Sequence, residues 1–198
     1  KEYYDNGKLE FEGEYLNGER WNGKGKEYNY DGKLEFEGEY LNGERNGKGK
    51  EYYDNGKLKF EGEYLNGERN GKGKEYDYNG KLEFEGEYLN GERWNGLLKK
   101  YSYKGTLEFE WEYINGEKSQ RIKEYNYNGE LEFEGEYLNG EKWNGKVKEY
   151  NYDGELEFEG EYLNGKRNGK GKEYNYDGKL EFEGEYLNGE KNGKGKEY

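Results

Sequence analysis

Carboxylates are the most abundant chemically capable side chains here: 46 Asp and Glu among 198 residues. Two carboxylates a few ångströms apart could share acid–base work. Glu10, Glu12 and Glu14 stand two residues apart, but the same spacing returns down the whole chain, interleaved with Lys. An active site is one place, whereas a decoration repeated in nearly every segment reads as a solvated face. The "NYDG" words at Asn29–Gly32, Asn151–Gly154 and Asn175–Gly178 share Asn/Asp-Gly spacing with calcium loops. They lack the remaining ligands and the terminal bidentate Glu, so they read as turns. The 25 Tyr and 4 Trp form the third candidate set, because such rings stack on sugar faces or surround quaternary ammonium groups.

What is absent narrows the chemistry further. There is no His, Cys, Met, Pro or Ala, Ser occurs only at 102 and 119, and Thr only at 106. Thiolate and imidazole metal sites and Ser–His or Cys–His nucleophiles are therefore excluded. The chain reads as non-enzymatic, with no catalytic, cofactor-binding or metal site. Its net charge of −13 makes it a poor partner for nucleic-acid phosphate or an anionic membrane. No apolar run approaches membrane-spanning length. A content of 40% charged and 29% hydrophobic residues resembles a disordered chain, but 19% aromatic residues and nearly balanced charges oppose that. The chain opens "KEYYDNG" and closes "GKGKEY", both inside a repeat, and lacks an initial Met. It reads as a segment of a longer protein.

The elements that carry these residues follow from periodicity. Phe falls at 11, 36, 60, 84, 109, 133, 158 and 182, always 24 or 25 residues apart. Within each unit, "KLEFEGEY" (Lys8–Tyr15) alternates strictly. Leu9, Phe11, Gly13 and Tyr15 share one face and Glu10, Glu12 and Glu14 the other, which predicts a strand. A second strand is predicted at "KGKEYNY" (Lys24–Tyr30), with Tyr28 and Tyr30 on one side. Asn17-Gly18, Asn22-Gly23 and Asp31-Gly32 supply turns. Each unit is thus a β-hairpin that pairs edge to edge with the next. One hairpin buries too little to fold alone, so neighbours must stack Leu, Phe and Tyr in columns. The Gly column leaves room for a neighbouring ring. The fold class is all-β: an elongated single-layer antiparallel β-sheet of about eight tandem hairpins, with residues 1–198 forming one array.

Trp21, Trp94 and Trp143 account for the 25-residue spacings. An extra residue inside a strand would invert every later side chain. The inserted Trp therefore belongs in a connection or at a bulge, and is placed at the tip of a hairpin loop spanning Leu16–Gly23.

The unit "YYDNGKLKFEGEYLNGERNGKGKEY" (Tyr52–Tyr76) resembles a MORN repeat, in the variant form with a "YYxNGxLxxEGxYxNG" core. The resemblance covers essentially the whole chain and implies a twisted antiparallel sheet with a grooved face. It also implies a scaffold or interaction role, with phospholipid binding proposed for some members. The chain departs from the standard repeat where Tyr replaces the aromatic Trp after "EG". The "YYDNG" words are also similar to choline- or glucan-binding repeats, whose Gly-Trp opening is missing here.

The repeat breaks in its middle. "GKGKEY" becomes "GLLKKY" at Gly96–Tyr101, "QRIKEY" at Gln120–Tyr125 and "GKVKEY" at Gly145–Tyr150. Leu98, Ile122 and Val147 replace one Gly column, Trp111 replaces another Gly, Ile114 a Leu and Leu97 a Lys. With Trp94 and Trp143 they predict an apolar patch for a partner; the competing reading is local repacking. The chain reads as a scaffold for protein–protein contact or self-association, with a carbohydrate- or choline-type ligand binder as the alternative.

Overall fold

The computed structural model describes residues 1–198 and contains strands and turns without a helix. Seventeen strands form one antiparallel sheet, and two short ones, Tyr15–Leu16 and Glu19–Arg20, pair separately. By internal contacts the chain divides into two compact units, where the sequence reads as one array. They are Lys1–Leu98 with Tyr113–Glu117, and Lys99–Glu112 with Lys118–Tyr198.

In the first unit, Leu58–Leu65 runs out and Glu68–Tyr76 returns. The hairpin tip is Asn66-Gly67 alone, with φ of 50° and 85°. This two-residue turn with both φ positive matches the twist of the flanking strands. Tyr64 pairs with Arg69, and then the register shifts so that Gly62 faces Gly73. Asn70, Gly71 and Lys72 therefore stand against Glu63 alone, a bulge in the return strand. The return strand pairs onward through Gly73↔Gly86 and Glu75↔Phe84. Asp77 closes the connecting turn, its Oδ1 accepting from the backbone N–H of Asn79 and Lys81.

The core is a ladder of rings on one face. Phe11, Phe36, Phe60 and Phe84 are fully buried, and Tyr40, Tyr64 and Tyr88 nearly so. Each Phe meets two Tyr edge-on: Phe36 lies 5.8 Å from Tyr40 and 5.3 Å from Tyr64, the geometry that ring quadrupoles favour. The glycine pairs make this possible. A methyl group added at Gly62 or Gly73 would lie 2.6 Å from the Phe60 ring, so the ring rests on backbone. Gly73→Ala should therefore cost about 2 kcal/mol through overpacking. Gly67→Ala meets nothing within 4 Å and should cost only the left-handed conformation, about 1 kcal/mol. Chemical denaturation of both variants checks this; a Gly73→Ala variant as stable as the parent would contradict the ring-on-glycine packing.

Two sequence expectations are corrected by the register. Glu27 pairs with Phe36 and Glu75 with Phe84, so this Glu shares the Phe face, which the sequence left open. Tyr28 and its counterparts lie on the opposite face, where Tyr52 and Tyr76 donate to Glu37 and Glu61 at 2.6 and 2.8 Å. Tyr30 is outside the strand, which ends at Tyr28.

The Trp insertions are the second correction. The tip is Asn17-Gly18, Leu16 pairs with Glu19, and Trp21 lies past the turn. Trp94 and Trp143 lie within the return strands Glu92–Tyr101 and Glu141–Tyr150. There Tyr88 faces Arg93 and Glu87 faces Asn95, leaving Trp94 as a single bulged residue. From that point Gly86 faces Gly96 and Phe84 faces Leu98. The second unit repeats this, with Gly135↔Gly145 and Phe133↔Val147. The Trp21 hairpin keeps the ordinary register, Phe11↔Glu27.

The cause is steric. At the ordinary position, Gly73, a Cβ would strike the Phe ring, so Leu98 and Val147 cannot occupy it. The inserted Trp shifts the strand so that Gly96 and Gly145 enter the glycine pair instead. A methyl at Gly96 would lie 2.8 Å from the Phe84 ring. Trp94 also braces the next turn: its ring carbons lie 3.2 Å from where a Gly116 Cβ would stand, and its carbonyl accepts from Gly116 N–H at 2.9 Å.

In the second unit Phe133, Phe158 and Phe182 form the core with Ile122, Val147 and Tyr186, and Phe109, Trp111, Tyr137 and Tyr162 pack against it.

Candidate functional site

Two assemblies repeat in the folded chain. The first is a charged cluster over each Phe. In the first unit the Arg69 guanidinium sits 4.1 Å from the Phe60 centroid. It donates through Nε and Nη2 to Glu51 at 2.9 and 2.7 Å, and Tyr64 Oη donates to the same carboxylate at 2.6 Å. Arg45 with Glu27 and Tyr40, and Arg93 with Glu75 and Tyr88, repeat the set. In the second unit Arg167 holds Glu149 over Phe158, and Lys142 holds Glu124. The sequence reading missed this cluster because it treated every Glu as solvated. Its signal was Glu-Tyr of "KEY", followed 13 residues later by a Tyr and 18 later by an Arg.

Burial pushes the Glu51 carboxyl up, but the hydrogen bonds from Arg69 and Tyr64 and the Arg69 charge outweigh it and hold it down to about 2. Glu27 is lowered for the same reasons: its burial is outweighed by Arg45 and Tyr40. A carboxylate whose folded pKa lies below its unfolded value of about 4.3 contributes stability that is complete above that value. That stability is lost as pH falls toward the folded pKa. The melting temperature should therefore hold steady from neutral pH to about 5 and fall steeply between about 4 and 2. The Glu51→Gln variant should start lower and fall less. A parent that lost its stability between pH 7 and 5 would contradict this.

The second assembly is the opposite face. In the first unit it forms an open groove of about 1220 Å³, floored by Gly25, Gly38, Gly49, Gly62, Gly73 and Gly86. Its walls are rows of Lys and Glu that alternate from strand to strand. Lys48 faces Glu63 and Lys50 faces Glu61, and Lys74 pairs with Glu85 at 3.1 Å. A separate groove of about 720 Å³ in the second unit has the same walls, from Lys146 to Lys196. Ion pairs this exposed contribute little to stability, so both rows are free to exchange partners. Glu10 and Glu83 depart from the expected Glu face: they turn to Arg20 and Arg93 at 3.0 and 3.4 Å.

The residues expected to form an apolar patch fall at buried, half-buried and exposed positions. In the first unit Leu98 is buried opposite Phe84, while Leu97 is half-buried opposite Glu85. Ile114 is exposed, but so are Leu41, Leu65 and Leu89 at the same hairpin position. In the second unit Ile122 and Val147 are core residues. Trp111 stacks at 5.2 Å on Phe109 with the Lys118 ammonium 4.7 Å above it. Trp143 lies against the Gly165 turn, whose N–H donates to its carbonyl at 2.9 Å. The expectation of an exposed patch is corrected for Leu98, Ile122 and Val147: β-branched and leucine side chains in the former glycine column fall on the Phe face, which is covered.

A tandem hairpin sheet with glycine pairs under aromatic rings defines the class, and comparison with known families agrees. The MORN repeat variant matches residues 1–17, 21–42, 45–66 and 143–164, and the MORN repeat matches 60–81, 158–179 and 182–198. The chain belongs to the MORN-repeat family. The stretch 82–142, which holds two of the three broken words, lies outside these matches, and the third, at 145–150, lies within one. No curated protein matches the chain. Among solved structures, "Crystal Structure of TcdB2-TccC3-TEV" is similar at 13% identity over 84% of this chain, with a TM-score of 0.31. This chain spans only 12% of that one, and the likeness is too slight to carry an argument.

Proposed function

We propose that the chain is a non-catalytic repeat scaffold that holds a protein partner along its Lys/Glu face. The observation behind this reading is the glycine-floored groove of the first unit, walled on both sides by alternating Lys and Glu. Between the two rows the floor is strand backbone, because the intervening residues face the Phe rings, and it admits close backbone approach. Walls that present both signs at fixed spacing suit an extended polypeptide carrying its own acidic and basic residues. The charged groups recur strand after strand and converge on no single reacting point, which favours docking over catalysis.

A photo-crosslinking residue placed at position 48 or 72, inside the groove, tests the reading against one placed at the exposed position 68, where the return strand begins. The expected result is a defined crosslinked protein from 48 and 72, none from 68, and loss of the product at about 0.5 M salt, where screening is nearly complete. Equal crosslinking from all three positions would overturn it.

A further inference from the structure

The turns that join successive hairpins carry tyrosines of unusual exposure. In the second unit Tyr103, Tyr127, Tyr152 and Tyr176 are 94%, 70%, 108% and 78% exposed. They are consecutive, one per hairpin. Each occupies the second position of a four-residue turn closed by a backbone hydrogen bond, such as Gly129 N–H to Asn126 C=O at 2.9 Å. The turns are stiffened from inside. Asn126, Asn151 and Asn175 each accept two backbone N–H bonds on Oδ1, and Ser102 accepts one from Thr106. A rigid turn presents a ring of few rotamers at little entropic cost to a ligand.

The first unit differs. Tyr30 leans on Tyr4 at 5.4 Å, Tyr78 leans on Tyr53 at 5.3 Å, and Tyr78 donates to Asp54 at 2.9 Å. Those rings already have partners. The four rings of the second unit stack on no other ring, Tyr103 having only the Lys104 ammonium 5.6 Å from its centroid and Tyr127 only its hydroxyl against the Gly154 turn, and each is followed by an exposed polar residue: Lys104, Asn128, Asp153 or Asp177.

We propose that Tyr103, Tyr127, Tyr152 and Tyr176 form a stacking ladder for a neutral β-1,4-linked polysaccharide. Successive turns are two strands apart, roughly 9.6 Å, a step that matches alternate sugars of an extended β-1,4 chain. The flat apolar face of every second sugar then meets a ring, and the polar neighbour meets its hydroxyls. The spacing disfavours a quaternary ammonium ligand, which needs several rings within about 6 Å of one cation. Glu130, Glu155, Asp153 and Asp177 beside the rings, with the net charge of −13, disfavour nucleic acid and anionic glycans.

Calorimetric titration of the full chain with cellohexaose, chitohexaose and maltohexaose tests the ladder. Binding of cellohexaose or chitohexaose is expected, and which one binds separates a glucose polymer from an N-acetylglucosamine polymer. Maltohexaose, whose α-linkages coil, should bind far more weakly. The combined Tyr103→Ala, Tyr127→Ala, Tyr152→Ala and Tyr176→Ala variant should lose at least about tenfold in affinity, given the size of single ring contacts. Its melting temperature should be unchanged, because the rings are exposed. The Tyr30→Ala and Tyr78→Ala variants should bind normally. No binding of either β-1,4 hexamer, equal binding of maltohexaose, or an unaffected quadruple variant would overturn the proposal. The protein crosslinked from the groove should still bind the quadruple variant, so the two readings fail separately.

Discussion

Deletion of Trp94 should destabilise the first unit by about 3 kcal/mol, whereas deletion of Trp21 should cost under about 1 kcal/mol. The two residues stand in the same word of their repeats and both lengthen it by one. The difference lies four residues downstream. After Trp21 comes Gly25, which fits beneath a Phe ring, and the hairpin already holds the ordinary register. After Trp94 comes Leu98, which does not fit there. Without the bulge, the return strand must either push Leu98 into the Phe84 ring or slide by one residue and turn its inner face outward. Leu98→Gly in the Trp94-deleted chain should restore most of the loss, because the word then reads like its Trp-free neighbours. Denaturant unfolding of the two single changes and the double change forms a cycle, with an expected coupling of about 2 kcal/mol. Additive effects would show that the Trp and the Leu act independently.

The second large effect is expected at the cluster over Phe60. Arg69→Ala removes both bonds to Glu51 and the cation from the ring face, leaving a largely buried carboxylate with Tyr64 and, at 3.6 Å, the Lys59 ammonium as partners. The expected cost is about 3 kcal/mol, at the low end for a buried pair because the Arg69 and Glu51 side chains remain 17% and 15% exposed. Arg69→Lys should cost only about 1 kcal/mol, since it keeps the charge but loses the planar fork. The chain itself makes that exchange: Lys142 and Lys191 hold Glu124 and Glu173 at 3.0 and 2.7 Å. Glu68→Ala, at the exposed start of the return strand, should fall within about 0.5 kcal/mol of the parent. Equal losses for Arg69→Ala and Glu68→Ala would remove the cluster from the stabilising core.

These residues also show what could be read without coordinates. The Phe spacing and the alternation of "KLEFEGEY" were sufficient for antiparallel hairpins, because one covered face forces period two. The Gly column was legible as space for a ring. The face of the return strand was not. "GKGKEY" alternates small and charged residues, and only its pairing, Glu27 opposite Phe36, shows that the Glu joins the aromatic face. The Trp was legible as an insertion but not as a register device, because its effect depends on Leu98 and Val147 being too large for a pocket formed by another strand. Leu98, Ile122 and Val147 left the expected patch for the same reason: replacing Gly by a larger apolar residue adds hydrophobic surface, and the covered face takes it. The charged groove was hidden because Lys and Glu on a strand read as ordinary solvation until their rows line up across neighbouring strands.

The scaffold reading is tested most directly by neutralising the lysines that two strands contribute to the walls of the groove. Lys48, Lys50, Lys72 and Lys74 are replaced together by Gln, and binding of the partner recovered by crosslinking at position 72 is measured beside the melting temperature. The account predicts a melting temperature within a few degrees of the parent, because exposed pairs contribute little, and at least a tenfold loss of affinity with a shallower salt dependence. Unchanged affinity in this folded variant would contradict it.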